Sequence, residues 1–174
     1  MDLRYPIGKF HFDGELNASV VGSWIDDLER LPALLRKAVD GLDDAQLDTA
    51  YRPGGWTVRQ VVHHLADSHM NAYVRIKLAL TEDNPVVKPY DEARWAELPD
   101  SGLPVEPSLL LVDALHTRWT HLLRSLTPAD WAKTFVHPDS GTATVGRTIG
   151  FYAWHGKHHT AHITSLRERM GWLA

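Results

Sequence analysis

Thr57-Val-Arg-Gln-Val-Val-His-His-Leu-Ala-Asp-Ser-His69 is the stretch whose reading decides the fold. Thr57 followed three residues later by Gln60 is a capping box, in which each side chain satisfies a backbone N–H that the first helical turn leaves unpaired. Val58, Val61, Val62, Leu65, Ala72, Tyr73, Ile76 and Leu80 then recur at helical spacing, so one apolar stripe predicts a helix from Thr57 to Thr81. Tyr51-Arg-Pro-Gly-Gly55, separated from it by Trp56, is loop by composition.

The same logic extends in both directions. Trp24, Leu28, Leu31, Leu35, Ala38 and Val39 mark a first helix from Ser19 to Gly41, which Pro32 is expected to kink or interrupt. Asp43 to Gln46 is a second capping box and opens a short turn. Asn84 to Pro104 is a long Pro-containing connection, with a helical turn expected near Asp91 to Leu98. A third helix is read from Glu106 to Leu126, with Leu110, Leu111, Ala114, Leu115, Trp119, Leu122 and Leu123 on one side. Thr127-Pro-Ala-Asp130 predicts another short turn, and Thr134 to Val145 a small hairpin. The fourth helix runs from Val145 to Met170 and stops at Gly171, while residues 1–16 form an irregular arm. Four long helices with crossover-length connections imply an all-α four-helix bundle, a single domain over residues 1–174.

Composition bounds the chemistry. The chain has 174 residues, a net charge of -4, eleven histidines, seven tryptophans and no cysteine. Without cysteine there is no disulfide, thiolate metal site, redox pair or cysteine nucleophile. The acidic balance argues against nucleic acid as a partner. The apolar runs are too short to span a membrane, and MDLRYPIGKF lacks the apolar core of a signal peptide, so a cytoplasmic location is expected. The tryptophans Trp24, Trp56, Trp119, Trp131 and Trp154 read as packing residues, with Trp95 and Trp172 packed likewise or covering a partner surface.

The histidines carry the signal. Seven of the eleven fall within residues 63–69 and 155–162. His158 and His162 are four apart on the fourth helix and so share a face, the spacing by which a helix offers two imidazoles to one ion. His155 and His159 form a competing pair at the same spacing. A catalytic site needs a third ligand, expected from the second helix. There, spacing leaves His63, His64 and His69 open, with His64 favoured by its polar file with Ser68, Asn71 and Arg75. His69, His116, His121 and His137 otherwise read as ordinary surface or hydrogen-bonded core residues.

Tyr51 through His69, together with Tyr5-Pro-Ile-Gly8, Leu80 through Pro85, Lys88-Pro-Tyr-Asp-Glu92, Trp154 through Ile163 and Arg169-Met-Gly-Trp172, resembles the DinB-like/YfiT superfamily over nearly the whole chain. The resemblance implies an up-down-down-up four-helix bundle, a homodimer, and one divalent ion per chain, zinc or alternatively nickel, on three histidines. Counting eight residues from Trp56 places the helix-two ligand at His64, and position relative to the chain end places the helix-four pair at His158 and His162. The resemblance further implies a metal-dependent enzyme acting on a small-molecule substrate. The first reading is S-transfer from a low-molecular-weight thiol such as bacillithiol; the alternatives are hydrolysis by a metal-bound hydroxide and metal binding without catalysis in a stress protein. Asp67, one turn from His63 and His64, is the candidate base.

Overall fold

Each long helix forms where its capping chemistry and apolar spacing coincide. In the computed structural model, which describes residues 2–172, α1 spans Ala18–Val39, α2 Asp44–Leu47, α3 Val58–Thr81, α4 Glu92–Trp95, α5 Glu106–Arg124, α6 Pro128–Trp131 and α7 Val145–Met170. Met1, Leu173 and Ala174, included in the expected domain, lie outside the described residues. Both predicted capping boxes are present, at Asp43–Gln46 and Thr57–Gln60. A third closes at Thr127–Asp130. Gly171 ends α7 in the left-handed conformation (φ 67°), which glycine adopts without a Cβ clash. The expected hairpin is β1 (Thr134–His137) and β2 (Gly141–Thr144), paired antiparallel with Thr134 opposite Thr144.

Two expectations need correction. Pro32 does not interrupt α1, which runs as one helix from Ala18 to Val39. On α5 the buried face is Leu109, Val112, Leu115, His116, Trp119, Thr120 and Leu123, whereas Leu110 and Leu111 are exposed. The stripe is rotated from the expected one because two of its positions are filled by polar side chains, His116 and Thr120, which periodicity of apolar residues does not count.

Side-chain contacts fix the direction of every helix. Trp24 lies against Gly150, Leu31 against Gly156, and Arg167 donates to the Ala38 carbonyl, so α1 and α7 run parallel. Arg36 pairs with Glu106 and Arg124 with Asp26, so α1 and α5 are antiparallel. His63 meets Ser108 and His69 meets His116, so α3 and α5 are parallel neighbours. His64 packs on His159 and His69 on Tyr152, so α3 and α7 are antiparallel. The result is up-down-down-up, with α1 diagonal to α3 and α5 diagonal to α7. Parallel neighbours such as α3 and α5 cannot be joined by a tight turn, which accounts for the long connection between Glu82 and Val105.

The core is divided. One apolar cluster gathers Leu28, Ile76, Trp119, Leu123 and Ile149, and the other Leu35, Val58, Val62, Leu65 and Ile163. Each such side chain contributes about 1.5–3 kcal/mol on burial. Between them lies a belt of buried histidines, His69, His116 and His155. Arg59 pins the entry to α3, reaching Asp44, Asp48 and the Leu103 carbonyl.

Candidate metal centre

His64 is held on α3 eight residues past Trp56, whose indole packs on it with centroids 4.5 Å apart. Four more histidines, His155, His158, His159 and His162, come from α7. At roughly 100° per residue they share one stripe about 100° wide. The two edges of that stripe face different neighbours. His155 and His159 point to α3, where the His155 Nε2 lies 3.4 Å from the His64 Nε2 and the His159 ring packs on His64 at 4.7 Å. His158 and His162 lean instead toward the N-terminal arm and the loop before α3. His158 stacks on Trp154, and His162 stacks on Tyr51 at 3.9 Å and donates from Nε2 to the Arg4 carbonyl.

His64, His155 and His159 thus offer three ring nitrogens that all lie within 4.8 Å of one another. Two nitrogens bound to one tetrahedral zinc stand roughly 3.3 Å apart, so the His64–His155 separation fits a shared ion. A second group, His158, His159 and His162, also brings three ring nitrogens within 4.8 Å of one another but lacks His64. The expected triad of His64, His158 and His162 is therefore not what the structure brings together. His64 lies in a converging group, but on α7 the competing pair His155/His159 takes the position facing it. Both pairs have the same spacing, and only the packing of α7 against α3 separates them.

All three converging histidines are neutral by environment. Burial, followed by neighbouring imidazoles, pushes the His64 pKa down to about 4 and those of His155 and His159 well below the usual range. A neutral imidazole is the form that binds a metal.

The remaining α3 candidates have other partners. His63 donates from Nε2 to the Leu103 carbonyl and accepts from Ser108, so it secures the crossover and does not pair with Asp67. Asp67 is half-buried, and burial pushes its carboxyl up, with Asp100 adding to the rise and His63 opposing it. It does not line the histidine cavity, so its assignment as catalytic base is corrected. A residue three past His64 turns to the side of α3, whereas Ser68, four past it, does line the cavity.

That cavity, about 520 Å³, also takes in Arg4, Tyr5, Arg52, Glu92 and Trp154. Glu92 is its one carboxylate among the described residues. Sequence patterning alone gave no reason to join α4 or residues 4–5 to the site, because both arrive by tertiary folding.

The sequence profile of the DinB superfamily matches residues 27–163. The chain belongs to the DinB superfamily. It is 61% identical over 172 residues to a protein of Oceanobacillus iheyensis named "Putative metal-dependent hydrolase", covering 99% of this chain and 100% of that one. A Bacillus mycoides protein of the same description is 61% identical over 171 residues, with 98% and 99% coverage. The fold matches YfiT from Bacillus subtilis, described as "a probable metal-dependent hydrolase with an unusual four-helix bundle topology", at a TM-score of 0.96 and 51% identity, over 99% of this chain and 100% of that one. A mycothiol-dependent maleylpyruvate isomerase is similar in fold alone, with a TM-score of 0.61, 16% identity, and coverage of 79% and 60%. No helix among the described residues is long and apolar enough to cross a membrane.

Proposed function

We propose that this chain is a metal-dependent enzyme whose ion, zinc or nickel, is held by His64, His155 and His159 and used to activate a small thiol for transfer to an electrophile. The observation that carries the reading is the convergence of three buried, neutral imidazoles from α3 and α7 on one point at the floor of an open cavity. A divalent ion on three neutral ligands keeps its full charge and an exchangeable position, and so lowers the pKa of a thiol or water placed there.

The chain's own residues do the rest. Trp56 and Trp154 wall the cavity and limit water around the imidazoles. Arg4 and Arg52 line it as two cations suited to the carboxylates of a small anionic thiol, and Glu92, its one carboxylate among the described residues, would take the proton that such a thiol releases. The absence of cysteine fits this division of labour, since the sulfur must come with the substrate.

Elemental analysis is expected to find about one zinc or nickel per chain, and a thiol with monochlorobimane to be conjugated only by the metal-loaded protein. Protein that neither contains nor takes up metal overturns the reading. A second reading, hydrolysis, is favoured by the names of the relatives at 61% identity. Metal-dependent cleavage of an ester or amide without any thiol would decide for it.

A further inference from the structure

Pro32 has no N–H, so the carbonyl four residues before it, that of Leu28, has no helical donor. His116 of α5 takes the donor's place, with its Nδ1 2.6 Å from the Leu28 oxygen. A carbonyl only accepts, so this Nδ1 carries the proton. His116 is 1% exposed and burial keeps it neutral, which leaves its Nε2 bare. The Nδ1 of His69 lies 2.9 Å from that nitrogen and must donate to it. The Nε2 of His69 is then bare in turn and accepts from Nδ1 of His155 at 3.2 Å. One nitrogen of His155 remains, the Nε2 that faces His64, and it carries no proton.

A shorter relay serves the other α7 ligand. The Arg4 carbonyl accepts from Nε2 of His162 at 3.2 Å, so the His162 Nδ1 is bare. It lies 3.3 Å from Nδ1 of His159, which therefore donates to it and keeps its own Nε2 free.

We propose that His116, His69 and His162 are positioning residues that hold His155 and His159 in the one tautomer whose Nε2 is available to an ion. Each relay begins at a backbone carbonyl, an acceptor that cannot reverse, so the sense of every hydrogen bond along it is fixed. The outer hydrogen bond of a ligating histidine orients the ring and raises its basicity. The inference rests on the ligand assignment above, but the tautomers exist in the metal-free chain and can be read there.

The test has two parts. In metal-free, 15N-labelled protein, long-range 1H–15N correlation spectra are expected to show protonated Nδ1 and bare Nε2 at both His155 and His159. Competition against a chromogenic chelator is expected to show His116→Leu binding zinc about 10–100-fold more weakly. His116→Gln, whose amide both donates and accepts, is expected to keep the affinity within about threefold. A proton on Nε2 of His155 in the wild-type protein overturns the proposal, as does undiminished zinc affinity in His116→Leu. If His116→Leu does not fold, the wild-type tautomers decide. Zinc retained by His155→Ala in a protein with the stated tautomers would instead refute the ligand assignment, and with it the use proposed for the relay.

Discussion

Lowering the pH from about 7 to about 5 is expected to destabilise the metal-free protein through its buried histidines, and His116 allows the size to be worked out. Its pKa is pushed from 6.5 down to about 4, by burial first, against the opposing hydrogen bond to Leu28. A histidine whose folded pKa is depressed supports the fold above its unfolded pKa, near 6.5, and loses that support as pH falls toward the folded value. Between about pH 7 and pH 5 the unfolded ring takes up its proton while the folded ring does not, a difference of about 2 kcal/mol. His69, fully buried and shifted in the same direction, adds to this. Most carboxylates stay ionised in that window, so the effect belongs to histidine. Guanidinium unfolding of EDTA-treated protein at the two pH values measures it. His116→Gln, which has no titrating ring, is expected to lose about 2 kcal/mol less than the wild type across the window. Parallel losses in the two proteins would refute the reasoning.

His155→Ala and His159→Ala are expected to purify without metal, whereas His158→Ala retains about one ion per chain; elemental analysis separates the pairs, and the opposite pattern would restore His158 as a ligand. Gly156→Ala is expected to cost about 1–3 kcal/mol in chemical denaturation, because the new Cβ would stand 2.5 Å from the buried Leu31 side chain at the α1–α7 contact. Unchanged stability would show that Leu31 has room to move. Pro32→Ala supplies an N–H that competes for the Leu28 carbonyl, so the proton on Nδ1 of His116 is expected to shift upfield in the NMR spectrum as its hydrogen bond weakens. An unmoved resonance would mean that the carbonyl accepts both donors without loss.

The bundle was legible because its helices announce themselves locally. The capping boxes at Asp43–Gln46 and Thr57–Gln60, and the spacing of Leu28, Leu35, Leu65 and Ile76, act within a few residues, and each appears where expected. His64 was legible for a related reason, since its polar file with Ser68 distinguishes it from the apolar stripe. The choice between His155/His159 and His158/His162 was not, because two pairs of equal spacing on one helix differ only in what packs opposite them. His69 and His116 were read as ordinary core residues for the same reason. Nothing within α3 or α5 shows that one histidine will meet the other, 47 residues away, at 2.9 Å.

The relay passes once through every long helix: Leu28 on α1, His116 on α5, His69 on α3 and His155 on α7. That path requires α5 to lie between α1 and α3, and α3 between α5 and α7, which is the neighbour order of this bundle. It also places three imidazoles in the middle of the core, where apolar side chains would pack without a desolvation cost. Buried hydrogen bonds contribute only about 0.5–1.5 kcal/mol each, and a single break in the relay exposes about 1–3 kcal/mol of unsatisfied donor or acceptor. Stability alone therefore gives little reason for a histidine belt, or for a proline in the middle of α1, where it removes a helical hydrogen bond. Both acquire a reason together. The proline frees a carbonyl, the carbonyl fixes the direction of the relay, and the relay delivers a bare nitrogen to the cavity at His155. In this fold the histidines that separate the two apolar clusters are the same residues that the proposed relay uses.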